Sequence, residues 1–139
     1  MQDPIAMSKL LAILPLLSIA ALPVSVQAED TAPVPQVTYV ELAPSFVANF
    51  QASKIRYLKA DVTLKIEDSA TADAVRRHQP YIRNNLVMLF SRQTEEGLQS
   101  PEGRQHLKEE ALQEVLNALQ AESEPTLVKE VLFTSFIVD

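Results

Sequence analysis

The sequence predicts an α/β fold of the α+β type: an antiparallel sheet of about four strands with two or three helices packed on one face, in the order β-β-β-α-α-β. Three stretches carry that expectation. Leu58, Ala60, Val62, Leu64 and Ile66 alternate with Tyr57, Lys59, Asp61, Thr63, Lys65 and Glu67, which is the two-residue period of a half-buried strand. From Ser100 a capped helix runs to Leu119 with one apolar stripe. The final stretch, residues 126–138, is rich in β-branched and aromatic residues.

Taken in order, the chain opens on an address. Lys9 precedes an apolar run from Leu10 to Leu22, followed by small residues at Val26 and Ala28 and by acidic Glu29 and Asp30. Residues 1–28 are expected to be an N-terminal extension and a secretory signal peptide cleaved after Ala28, or else a short membrane anchor. Pro15, Ser18, Pro23 and Ser25 interrupt the run, and a span needs about 20 apolar residues, so the signal is preferred. Residues 29–36, with Pro33 and Pro35, read as an extended linker, and residues 37–139 as an exported folded domain.

Two short strands follow, residues 37–42 and 45–50, separated by Ala43 and Pro44; Phe46, Ala48 and Phe50 share one face of the second. The alternating strand comes next. A one-residue slip would bury Lys59, Asp61 and Lys65, so its register is pinned. Its outward face is either a solvated sheet surface or a docking surface, and Tyr57, Lys59, Asp61 and Lys65 are the candidate protein-interaction residues.

Residues 69–78 form a short helix ended by Pro80. A second helix from Pro80 turns Ile82, Leu86, Leu89 and Phe90 inward, or the two are one helix kinked at the proline. Thr94-Glu-Glu-Gly97 is expected to end this layer, with Gly97 in a C-terminal turn. Ser100 then caps the next helix, Pro101 suits its first position and Glu102 complements its dipole. Leu107, Ala111, Leu112, Val115, Leu116 and Leu119 make its stripe. In the last strand Val131 and Phe133 share a face while Phe136 falls on the other. Either both faces are covered, as in a central strand, or a bulge turns Phe136 inward; both options place the strand deep in the fold.

Composition bounds the function. A chain of 139 residues, 47% hydrophobic and 22% charged, supports one packed domain rather than a disordered segment. A net charge of −6 without a basic run makes nucleic acid a poor candidate partner, and none is expected. Having no cysteine, the chain has no disulfide, thiolate nucleophile or Cys-based metal site. His106 has Glu102, Glu109 and Glu110 at helical spacing, but one helix supplies too few ligands for a metal. His78 follows Arg76 and Arg77, which would repel a cation. Ser135 lacks a nucleophile elbow, and Gly97 and Gly103 cannot make a phosphate-cradling loop. No catalytic, cofactor-binding or metal residue is therefore expected, and no small-molecule substrate. Arg83 and Asn117 are polar residues on apolar helices. They either reach water and bond locally, or fix helix packing or a subunit contact.

Several pieces stand in a set order: Pro80-Tyr-Ile-Arg83 with Leu86 and Leu89-Phe-Ser91, Ser100-Pro-Glu-Gly103 with Leu107 and Glu110, Asn117 and Leu119, and Val131-Leu-Phe-Thr-Ser-Phe136. In this order and spacing, residues 37–139 resemble the FliL-like flagellar basal-body-associated proteins. The resemblance implies a stomatin-like periplasmic domain without enzymatic activity, associated with the inner membrane at the flagellar basal body. It also implies binding or support of flagellar stator proteins, ring-like self-association, and promotion of swimming and swarming. Family members keep a transmembrane helix behind a cytoplasmic tail, and the expected cleavable signal departs from that pattern. The alternative is an exported stomatin-like scaffold or binding module not tied to flagella.

Overall fold

A computed structural model describes residues 34–139; the expected signal or anchor at residues 1–28, its cleavage after Ala28, and residues 29–33 of the linker lie outside the described residues. The elements are β1 (Thr38–Glu41), β2 (Phe46–Phe50), β3 (Arg56–Ile66), α1 (Ser69–Arg77), α2 (Gln79–Ser91), α3 (Glu95–Gln99), α4 (Pro101–Ala121) and β4 (Val128–Val138). The strand order follows the sequence expectation; between β3 and β4 stand four helices where two or three were expected, short α3 being the one not foreseen.

β3 is the spine. Its even-numbered residues Leu58, Ala60, Val62, Leu64 and Ile66 are buried, as their alternation dictates. Along one edge β4 pairs antiparallel from Leu58↔Val138 to Ile66↔Val128. The other edge is shared end to end by β1, paired Thr38↔Ile66 to Glu41↔Thr63, and β2, paired Phe46↔Ala60 to Phe50↔Arg56. The sheet is thus three strands wide at any point. Between β1 and β2 the chain turns a corner at the cis Ala43–Pro44 bond, where proline has no N–H to offer a ladder.

β4 corrects one expectation: it is an edge strand, paired within the described residues only to β3, and half-exposed along much of its length. Its apolar residues need not face both ways because the ladder shifts twice, between Asp61/Val62 and between Lys65/Ile66. Thr134 and Lys129 are the extra residues. Each shift rephases the strand, so Val128, Val131, Phe133, Phe136 and Val138 all stand opposite inward residues of β3. Of the two readings of this segment, the bulge is the one that occurs.

The helices cover the inner face, α2 against β2 and α4 against β4, with α1 beside β1. α1 and α2 are separate helices. Asp68 caps α1 by accepting from Thr71 N at 3.0 Å, and His78 is the hinge residue between the two helices, with Pro80 in the first turn of α2. Ile82, Leu86, Leu89 and Phe90 are buried as expected, and each contributes roughly 1.5–3 kcal/mol of burial. Phe90 is the middle of an aromatic chain. Its ring meets Phe46 edge-on at 5.5 Å and Phe133 at 6.1 Å, and Phe133 meets Phe136 at 5.3 Å. Arg83 lies over Phe46 at 4.1 Å and Arg104 over Phe136 at 5.3 Å, so a guanidinium closes each end.

Gly97 does not occupy a C-terminal turn. Thr94 accepts from Gly97 N at 3.2 Å and caps a new helix, α3, with Glu95 and Glu96 in its first turn. The helix then stops at Ser100, which caps α4 by accepting from Gly103 N at 3.0 Å. Gly103 is required by contact: a Cβ there would lie 2.0 Å from the Gly97 carbonyl oxygen. The two helices meet backbone to backbone at that point.

Candidate interaction surface

The outward face of the sheet is built by the residues that alternation leaves over. Tyr57, Lys59, Asp61, Thr63 and Lys65 point away from the helix layer, with Tyr57 and Lys59 exposed and the others half-buried by their strand neighbours. The pairing sets them in rows across the strands: Asn49–Tyr57–Asp139, Val47–Lys59–Ile137, Glu41–Thr63–Leu132 and Tyr39–Lys65–Glu130. All four candidate interaction residues thus lie on one face of one strand, and no described helix covers that face. Sequence reasoning missed the flanking apolar partners Val47 and Ile137, because only the pairing brings them beside Lys59.

Electrostatics separate this face from the rest of the domain. Lys54, Lys59 and Lys65 have no salt bridge or hydrogen-bond partner among the described residues. Each other described cation is engaged. Arg56 pairs with Glu95, Arg76 with Asp73, Arg77 with Glu124, Arg92 with Glu114, Lys108 with Glu130 and Lys129 with Glu67. Arg83 donates to the carbonyl oxygens of Leu42 and Pro44 at 2.6 and 2.7 Å, and Arg104 to that of Leu98 at 2.8 Å. Tyr57 donates its hydroxyl proton to Asp139 Oδ2 at 2.9 Å, and that carboxylate holds the phenol above its usual pKa.

The remaining polar candidates resolve into structural roles. Arg83 belongs to packing: it ties α2 to the corner between β1 and β2, and partial burial lowers its pKa. Asn117 bonds locally, accepting from Gln113 Nε2 at 2.9 Å. His78 is not left among repelling arginines, because Glu124 Oε1 lies 2.8 Å from both His78 Nε2 and Arg77 Nη2. Hydrogen bonds from Arg77 and then His78 hold the Glu124 carboxyl below the usual carboxylate range. His106 sits exposed beside Glu110 at 3.6 Å, over a shallow dip lined by Pro101, Glu102, Gln105 and Glu109. Among the described residues there is no group of three or more His, Asp or Glu side chains that could hold a metal, and no helix long and apolar enough to cross a membrane.

The Flagellar protein FliL of Aquifex aeolicus (strain VF5) is 28% identical over 99 residues, which is 70% of this chain and 59% of that relative. The Flagellar protein FliL of Escherichia coli (strain K12) is 31% identical over 105 residues, 76% of this chain and 67% of the relative. The match to the first thus spans less than two thirds of the relative's own length. Residues 39–138 fit the family model described as Flagellar basal body-associated protein FliL, a match that runs from the second residue of β1 to the end of β4. The chain belongs to the FliL family of flagellar basal body-associated proteins.

Proposed function

We propose that this chain is a non-enzymatic periplasmic component of the flagellar motor that binds or supports stator units at the basal body and so promotes swimming and swarming. Family membership supplies the motor. The observation that favours a binding role is the uncovered sheet face, on which Tyr57, Lys59, Asp61 and Lys65 lie along one strand, with Lys54, Lys59 and Lys65 unpaired among the described residues. A face of that kind can add contacts to a partner without first breaking contacts of its own. Residues 1–28 act as the export signal, cleaved after Ala28, or as an anchor that keeps the domain at the inner membrane. Copies of the domain associate with one another, in a ring, around the stator.

A deletion strain tests this reading. Flagella, counted by electron microscopy, remain in normal number, while spreading in soft agar and swimming in viscous medium fall. Undiminished motility under viscous load, with the gene absent, contradicts the proposal. Intact mass of the exported protein distinguishes a cleaved signal from a retained anchor.

A further inference from the structure

We propose that the hairpin end of the exposed sheet face, where Lys54 and Lys59 stand among Val47, Ile55, Tyr57 and Ile137, receives an amphipathic helix of another protein whose apolar stripe is bordered by carboxylates. The inference rests on the sheet face being the docking surface proposed above, and it specifies the chemistry of the partner.

Charge is the first argument. The chain has 12 lysines and arginines. Lys9 lies outside the described residues, which leaves eleven; eight of these bond to a carboxylate or carbonyl, and the other three are Lys54, Lys59 and Lys65. In an acidic protein the cations without a partner among the described residues all lie on β3 and the turn leading into it. Of the nearby carboxylates, Asp139 already accepts from Tyr57, and Asp61, two residues along the same face, makes no salt bridge to either neighbouring lysine among the described residues. A carboxylate brought by a partner therefore meets free ammonium groups rather than pairs that must be broken.

The second argument is apolar exposure at the same end. Ile55, the last residue of the β2–β3 turn, is 91% exposed, Val47 60% and Ile137 51%, and the last two flank Lys59 in one row. Aliphatic side chains around a lysine are complementary to an apolar stripe bordered by acids.

The occupant follows by comparison. An added strand is disfavoured, because the β4 edge is shifted at Lys129 and Thr134 and the opposite edge is broken at Ala43–Pro44. A second copy would offer the acidic outer side of α4, with Glu102, Glu109 and Glu110. That side has no large exposed apolar residue, so Val47 and Ile137 would gain nothing. A bilayer is disfavoured by the exit of the linker, because residues 34–36 leave the domain beside Glu67 and Asp68, at the other end of β3. Eleven residues of strand separate the two ends, roughly 35 Å.

The test uses the full chain and synthetic helices of about 18 residues, five turns long. One has a leucine stripe bordered by glutamates, and the other two carry glutamine or lysine in place of glutamate. The glutamate helix is expected to perturb the NMR signals of Val47, Tyr57, Lys59 and Ile137. It should bind about tenfold more weakly to the double variant Lys54→Gln, Lys59→Gln, and more weakly at high salt. Equal binding of the lysine or glutamine helix overturns the proposal, as does perturbation confined to α4. So does preferential binding to phosphatidylglycerol vesicles, or self-association abolished by the same double variant. Failure of the underlying reading looks different: a folded Val47→Ser, Ile137→Ser variant would then swim normally. Impaired swimming without glutamate-helix binding leaves the docking face in place and removes the acidic helix as its partner.

Discussion

The two faces of the sheet use their cations in opposite ways. On the helix side every described cation is tied down: Arg83 spans from α2 to the carbonyls of the β1–β2 corner, and Arg104 closes the far end of the Phe46–Phe90–Phe133–Phe136 chain. On the open side Lys54, Lys59 and Lys65 bond to nothing described. An engaged arginine holds elements together and is felt in stability when removed. A free lysine on a strand surface contributes little to folding, since even an exposed ion pair is worth only about 0–1 kcal/mol. The comparison separates residues kept for the fold from residues available to a partner.

Substitutions should follow that division. Phe90→Ala, which removes the middle of the aromatic chain, is expected to cost the most, about 4 kcal/mol in chemical denaturation. Arg83→Ala leaves two carbonyls and a phenylalanine ring without their cation and should cost about 3 kcal/mol, with Arg83→Lys recovering only part. Gly103→Ala must push α3 and α4 apart at the Gly97 carbonyl and should cost about 2 kcal/mol, visible as a lower melting temperature.

Glu124→Gln sharpens the comparison through pH. The folded Glu124 carboxyl titrates below its unfolded value, so its bonds to Arg77 and His78 stabilise the fold above the unfolded pKa. That contribution is lost as pH falls through the folded pKa. The gap between wild type and Glu124→Gln in a melting series should therefore be widest near neutrality and close in acid. Lys59→Ala or Lys65→Ala should be smallest, within about 0.5 kcal/mol of wild type, because neither side chain has a partner among the described residues.

Legibility in the sequence followed the same physics. β3 could be read residue by residue because a half-buried strand has only one period that keeps Lys59, Asp61 and Lys65 out of the core. The inner face of α2 and the Ser100 cap of α4 were equally plain. β4 was harder: its two shifts show in the sequence as broken alternation, but its position at an edge depends on which strand it pairs with, and no local pattern encodes that. α3 was hidden by ambiguity. Thr94 followed by two acids and Gly97 serves equally as the close of one helix or the start of another, and the capping bond from Gly97 N decides it. On the candidate surface, alternation exposed Tyr57, Lys59, Asp61 and Lys65, whereas the lack of partners for the lysines depends on distances across the fold. Val47 and Ile137 are 12 residues before and 78 after Lys59, and only the ladder makes them neighbours.

The most direct test of the division between fold and partner is the triple variant Lys54→Gln, Lys59→Gln, Lys65→Gln, measured as purified protein and in a motility assay. Its melting temperature should match wild type while spreading in soft agar falls toward that of the deletion strain. Wild-type spreading at normal protein levels, or a melt lowered by several degrees, would contradict the claim that these lysines serve a partner rather than the fold.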